Sequence, residues 1–226
     1  MSSNSATTKG TLVLKNLGTD FSLKNTSTSG SATFKVKRDD VTASLVVSDQ
    51  TLRSPQSLKD VTATVDYKVA QVKGLTVNTK YEFSTAKYQA GVTYNTSVAN
   101  KPLVVKGTYN SKDGKISGDA TVTVSKDQKA NVVFNQEKVN SAKYTVARDG
   151  FTFEPSYNFD KKAAAFSVSK KQGSDNLKLS YDLQSENAAF EWSRNPVKVT
   201  VATTVSKSGQ IGKPSITALV ENVYEF

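Results

Sequence analysis

VTATVDYKV, residues 61–69, sets Val61, Ala63, Val65, Tyr67 and Val69 on one side of an extended chain and Thr62, Thr64, Asp66 and Lys68 on the other. Successive side chains of a strand point to opposite faces, so this segment separates an apolar environment from an aqueous one. The same period of two recurs in ATFKVK (32–37), LTVNTKYEF (75–83), YQAGVTYN (88–95), AKYTV (142–146), LKLSYDL (177–183) and VKVTVATTV (197–205). Extended segments read near 11–15, 31–37, 41–47, 61–69, 75–83, 87–98, 103–109, 117–125, 130–136, 141–147, 151–159, 163–170, 177–183, 188–193, 197–206 and 215–226. Turn formers such as Asp39-Asp40, Lys112-Asp113-Gly114, Arg148-Asp149-Gly150 and Gly173-Ser174-Asp175 lie between them, and such residues supply the positive φ of tight hairpins. Short turns between alternating strands imply antiparallel neighbours in a meander. Residues 1–30 are Ser/Thr-rich and less regular, 48–60 read as the longest loop, and no segment has helical periodicity.

No Pro-rich or Gly/Ser-rich linker divides the 226 residues. They read as a single β-barrel domain over 1–226, with 1–10 expected as a disordered N-terminal tail. The chain has no Cys and no His, which removes thiol nucleophiles, disulfides, and the commonest general base and transition-metal ligand. Carboxylates at Asp39-Asp40, at Asp119 near Lys115 and at Glu154 before Pro155 read as solvated turns; no loop has the alternating ligands of a calcium site. No enzyme activity, cofactor or metal is expected.

Thirty Lys and Arg against 20 Asp and Glu give a net charge of +10, and only Arg38, Arg53, Arg148 and Arg194 are Arg. Cations spread singly along the chain, with little of the Arg that grips phosphate in two-pronged fashion, argue against nucleic acid as a partner. MSSNSATTKG at the start has neither the apolar core of a secretory signal nor any Arg, so a cleaved presequence is not expected. No apolar run approaches the roughly 18 residues of a spanning helix. A membrane barrel escapes that test, because its lipid-facing residues occupy alternate positions only.

All nine Tyr residues, at 67, 81, 88, 94, 109, 144, 157, 181 and 224, fall on the apolar parity of their segments. They fit the aromatic girdle of a membrane barrel and fit equally the edge of a sandwich core. The opposite parity carries Thr, Ser, Asn and the charged residues Lys35, Lys37, Asp66, Lys68, Lys80, Glu82, Lys106, Lys143, Lys178, Asp182, Glu191 and Lys198. These twelve are the candidate pore-lining residues. In a sandwich they would point outward to bulk water; in a barrel they would line the lumen. Merging some of the segments gives roughly 12–14 strands, enough for a lumen that admits metabolites. The last strand, ITALVENVYEF (216–226), ends on Phe226 with Tyr224 two residues before it, as closing strands of outer-membrane barrels do, although Asn222 interrupts its apolar face.

FTFEPSYNFDKKAAAFSVSKK (151–171) and AAFEWSRNPVKV (188–199) resemble the plastid outer envelope pore protein 24 family. The likeness runs from Lys101 to the C-terminus and fits the first hundred residues loosely. It implies a voltage-dependent, high-conductance channel in the outer envelope membrane of chloroplasts and other plastids, without a cleaved presequence. The resemblance further implies passage of triose phosphates, phosphate, dicarboxylates, sugars, amino acids and ATP, with slight cation selectivity, whereas the Lys-bearing polar parity favours anions. No catalytic residue is carried over.

The expected fold is therefore an all-β transmembrane antiparallel barrel. Its expected partners are the lipid bilayer and small polar or charged metabolites, and association of copies into an oligomer is compatible with it. The alternative is a soluble β-sandwich or barrel acting as a binding module with a basic solvated surface.

Overall fold

The computed structural model describes residues 2–14 and 26–225. Sixteen strands follow one another in chain order: β1 (Ser2–Leu14), β2 (Thr26–Arg38), β3 (Val41–Ser48), β4 (Thr62–Lys68), β5 (Leu75–Glu82), β6 (Lys87–Val98), β7 (Lys101–Asn110) and β8 (Lys115–Ser125) in the first half. The second half holds β9 (Gln128–Asn135), β10 (Val139–Arg148), β11 (Phe151–Asn158), β12 (Ala163–Gln172), β13 (Asp175–Asp182), β14 (Asn187–Arg194), β15 (Val197–Thr204) and β16 (Ser215–Glu225). Each strand pairs antiparallel with its sequence neighbours, and β1 pairs with β16, from Thr7 opposite Glu225 to Leu14 opposite Ala218, which closes the sheet into a barrel.

The count of 16 corrects the expected 12–14. Segments expected to merge stay separate because two-residue turns suffice between them: 39–40, 99–100, 126–127, 149–150, 173–174 and 195–196. Asp149 and Gly150 both have positive φ, as do Ala99 and Asn100, the backbone that lets a two-residue hairpin match the twist of its strands. The expected N-terminal tail is also corrected. Residues 2–14 form β1, held on one side by β2 and on the other by β16, so pairing of the backbone orders a stretch whose side chains carry almost no periodic signal. In the 49–61 connection, where a loop was expected, Asp49–Arg53 is a short helix, α1, capped at its start by the Ser48 hydroxyl accepting from the Thr51 N–H. Both the Ser48 and Thr51 hydroxyls donate to the Lys59 carbonyl, which pins this loop back on itself.

The hairpins make the two rims unequal. Apart from the 69–74 connection, the turns at one rim have two residues, and both β1 and β16 have their chain-terminal ends there. The opposite rim carries 49–61, 83–86, 111–114, 136–138, 159–162, 183–186 and 205–214. Both rims are tied by side chains. At the long-loop rim, Lys138 of the 136–138 turn pairs with Asp160 of the 159–162 turn at 2.5 Å, and Asn140 Nδ2 donates to the same carboxylate at 2.7 Å.

The molecule has almost no interior core. Among the described residues only Val61 and Ala163 are buried apolar side chains, each 6 % exposed, and none of the large side chains is fully buried. The apolar parity faces outward: Phe34, Val36, Leu45, Val65, Val77, Val92, Phe153, Phe166, Val168, Leu179 and Phe190 are all exposed. Val65 is 45 % exposed, not shielded within packed protein as a soluble sandwich requires. A continuous apolar belt of this extent on a soluble monomer would drive association; against acyl chains it is the matched solvent. Aromatic residues edge the belt. Near the long-loop rim stand the pairs Tyr81–Phe83, Tyr88–Tyr109 and Tyr157–Phe159, with ring centroids 5.1–6.1 Å apart. Near the short-turn rim Trp192 donates its Nε1–H to Asp175 at 3.0 Å and Tyr144 donates its hydroxyl to Gln128 at 2.8 Å. The Tyr set therefore belongs to a lipid-facing girdle, not to a sandwich edge; the Tyr224 side chain and Phe226 lie outside the described residues. Where β7 and β8 bring Gly107 opposite Gly118, the Phe134 ring lies over Gly118, 2.8 Å from the place a Cβ would occupy, so the ring fills the surface that two glycines leave bare.

Leu179 stands at mid-height of the outer face, opposite Val168 and Phe190, and is 54 % exposed. Leu179→Arg is expected to destabilise the barrel in lipid vesicles by about 2–4 kcal/mol. Ser180→Arg, one residue along on the wet face, should change stability far less; equal losses in denaturant titrations of the two variants would contradict the assignment of faces.

Candidate functional site: the polar inner wall

All twelve charged residues expected to line a lumen fall on one face in the observed register. Lys35 and Lys37 of β2 stand opposite Ser44 and Thr42 of β3, and Thr42 in turn opposite Asp66 of β4. Lys68 of β4 faces Thr76, while Lys80 and Glu82 of β5 face Thr64 and Thr62. Lys106 of β7 is opposite Asp119 of β8, Lys178 of β13 opposite Glu191 of β14, and Lys198 of β15 opposite Ser193. This face is the concave one. A recess of about 710 Å³ is bounded by Lys106, Asp119, Asn131, Lys143 and Glu154 from five consecutive strands, and one of about 320 Å³ by Glu154, Ser167, Lys178 and Ser180.

The structure draws some of these residues together and leaves others apart. Lys198 Nζ is 2.6 Å from Glu191, and Lys80 Nζ is 3.2 Å from Glu82 on the same strand. Lys143 and Lys178 both reach one carboxylate, Glu154, at 3.2 and 3.7 Å. Asp182 borders the smaller recess at the long-loop rim, where it accepts from the backbone N–H groups of Gln184 and Ser185 and from the Ser185 hydroxyl. Among the described residues Lys35, Lys37, Lys68 and Lys106 have no carboxylate within ion-pair distance.

Glu154 stands outside the twelve candidate pore-lining residues, its sequence reading left open between a lumen partner and a charge beside a turn. It sits between the two recesses and collects four donors, adding Thr145 and Ser167 hydroxyls at 3.3 Å each to the two ammonium groups. Ser167 is 8 % exposed, one of the few buried polar side chains among the described residues. The donors come from β10, β12 and β13, so the cluster crosses four strands in a diagonal stripe. Its signal lay in the alternation of 151–157, where Phe151, Phe153, Pro155 and Tyr157 share one parity and Thr152, Glu154 and Ser156 the other; proximity to Pro155 had suggested a turn. Asp119, Lys9 and Glu221 also stand outside the twelve candidates. Lys9 pairs with Glu221 across the β1–β16 seam at 2.7 Å, and Asp119 accepts from Asn131 at 3.5 Å.

A wall of this kind binds nothing tightly. Its charges are partly exposed, the pairs are solvated, and such pairs contribute little individually. What it can do is hold water and set a weak field along a wide passage, since sixteen strands leave an aqueous channel where eight would be filled by their own side chains. Among the described residues no group of three or more His, Cys, Asp or Glu side chains could hold a metal ion.

The family model for outer envelope pore protein 24 matches residues 16–225. The chain belongs to the outer envelope pore protein 24 family. The match takes in most of the first hundred residues, which the two distinctive strings at 151–171 and 188–199 do not reach. The chain is 30 % identical over 129 residues to outer envelope pore protein 24B, chloroplastic, of Arabidopsis thaliana; the match covers 54 % of this chain and 59 % of that protein's length. Among solved structures, the barrel resembles a triple mutant of Rhodopseudomonas blastica porin, with a TM-score of 0.56, 10 % identity, and coverage of 98 % of this chain and 100 % of the porin. It also resembles Pseudomonas aeruginosa OccK10 (OpdN), with a TM-score of 0.54, 6 % identity, and coverage of 100 % of this chain and 99 % of that one. At such identities the likeness is one of fold.

Two outcomes test the site. Glu154→Gln leaves Lys143 and Lys178 without their shared counter-charge, and the chloride-to-potassium permeability ratio in a salt gradient across a planar bilayer should rise by about twofold; an unchanged reversal potential would place Glu154 off the ion path. At the rim, hydrogen bonds from Lys138 and then Asn140 hold the Asp160 carboxyl below the ordinary aspartate range. A depressed carboxylate pKa stabilises the fold above the unfolded-state pKa, and that contribution is lost as pH falls through the lower folded value. The clamp between the two turns is therefore intact at neutral pH and opens only in acid. A carbon-detected NMR titration in detergent should show Asp160 titrating low in the parent and moving up in Lys138→Met; superimposable curves would refute the clamp.

Proposed function

We propose that the chain is a passive channel of the plastid outer envelope, letting small hydrophilic solutes diffuse through the lumen along Lys35, Lys37, Asp66, Lys68, Lys80, Glu82, Lys106, Lys143, Lys178, Asp182, Glu191 and Lys198. The observation that carries this reading is the closed sixteen-strand barrel with an apolar outside and a concave, charged inside. A lumen of that size is too wide for selection by snug fit, so discrimination comes from wall charge. Triose phosphates, inorganic phosphate, dicarboxylates, sugars, amino acids and ATP are all small and polar enough to share such a path. The family assignment and the name of the Arabidopsis relative support the plastid envelope as its place.

Paired charges cancel much of the wall's field, so selectivity is weak. The unpaired Lys residues lean it toward anions, against the slight cation preference that the family resemblance implied.

The full chain in a planar bilayer should give stepwise currents that scale with salt. Lys68→Glu with Lys106→Glu should move the reversal potential toward cations. Silence at high protein density would overturn the channel, whereas stepwise currents with an unmoved potential would take those two side chains out of the conducting path.

A further inference from the structure

Among the described residues, charges borne by strands on the outer face are confined to one rim. At the short-turn end that face finishes in Arg38 of β2, Lys101 of β7, Arg148 of β10, Lys170 of β12 and Arg194 of β14, opposite Val41, Val98, Phe151, Phe151 and Val197 respectively. Among the described residues one strand acid shares the face, Asp175, and it is engaged by Trp192 Nε1. At the long-loop end the same face finishes in Tyr81, Tyr88, Tyr109, Tyr157 and Tyr181, and none of the described strand residues facing outward there is charged. Turn carboxylates at the short-turn rim offset the cations little: Arg148 Nε lies 3.5 Å from Asp149, yet both side chains are almost fully solvated.

A cation on the lipid-facing side of a barrel is strongly disfavoured at mid-depth and tolerated at the interface, where its alkyl stem lies along apolar surface and its head meets the lipid phosphates. Lys170 takes that posture, its Nζ 4.8 Å from the centre of the Phe151 ring. Cations near a membrane surface attract anionic lipid, and Arg adds two-pronged contact with phosphate oxygens. We propose that the short-turn rim is a binding belt for anionic phospholipid headgroups, densest along the arc of Arg148, Lys170 and Arg194 around Trp192. The proposal rests on the bilayer placement of the outer face and adds to it a preferred lipid on one leaflet.

Trp192 is the chain's single Trp and stands in that arc, opposite Leu177 and Val199. The full chain is reconstituted in vesicles containing, at equal mole fraction, either phosphatidylcholine or phosphatidylglycerol with brominated acyl chains, and quenching of the indole is read. Quenching by brominated phosphatidylcholine reports acyl chains against the outer face. The belt requires brominated phosphatidylglycerol to quench as though enriched roughly threefold or more at this site. High salt should reduce that enrichment, and the Arg148→Gln, Lys170→Gln, Arg194→Gln triple variant should lose it while keeping the phosphatidylcholine signal. Equal quenching by the two lipids, or enrichment that survives in the triple variant, overturns the belt and leaves the barrel in place. No quenching by either lipid overturns the bilayer placement and the belt together.

Discussion

Inside hydrocarbon every backbone N–H and C=O needs a partner within the protein, and an open sheet leaves two edges of them unmet. The pairing of β1 with β16 removes both edges, and most other features of the molecule follow from that closure. A closed meander fixes which parity faces out, because each antiparallel register carries its face on to the next strand. Once Val65 faces lipid, Lys80 and Glu82 on β5 and Lys106 on β7 are committed to the interior through cross-strand neighbours alone. The barrel needs no packed core to do this, and among the described residues only Val61 and Ala163 are buried apolar side chains.

Face assignment was readable in the sequence wherever one parity was apolar. β4, β5, β11, β13 and β15 alternate clearly, and all twelve charges assigned to the wet parity lie on one face. Strand number was harder. The segments themselves were visible, but nothing in a local pattern distinguishes a two-residue turn from a bulge within one longer strand, and the chain contains both: bulges interrupt the ladders between Thr123 and Ser125 and between Val139 and Ser141. β1 was least legible. Its outward parity holds Asn4, Ala6, Thr8 and Gly10 before reaching Leu12, so its state is set by the ladders on either side of it and not by the hydropathy of its own side chains. Pairwise relations were hidden for a further reason. Glu154 meets Lys143 and Lys178 only because three hairpins stack four strands at a particular stagger, and stagger is a property of the whole sheet.

The net charge of the sequence is a poor guide to the field inside the barrel. Part of the +10 resides in turns such as Lys112 and Lys161-Lys162, part in the outward cations of the short-turn rim, and part of what faces the lumen is cancelled by Glu154, Glu191, Glu221 and Glu82. A basic composition is thus compatible with a nearly balanced passage. Among the described residues the candidate wall lysines without a carboxylate partner, Lys35, Lys37, Lys68 and Lys106, lie on β2, β4 and β7, whereas the pairs centred on Glu154 and Glu191 lie on β10 to β15, so the wall carries a lateral asymmetry more than a ring of one sign. At physiological salt, opposing walls separated by more than a Debye length of about 8 Å act almost independently. An ion passing near β2–β4 then meets a different potential from one passing near β10–β15, and the measured selectivity is an average over the cross-section. Weak selectivity in a wide, uneven lumen of this kind follows from screening and geometry and requires no dedicated filter.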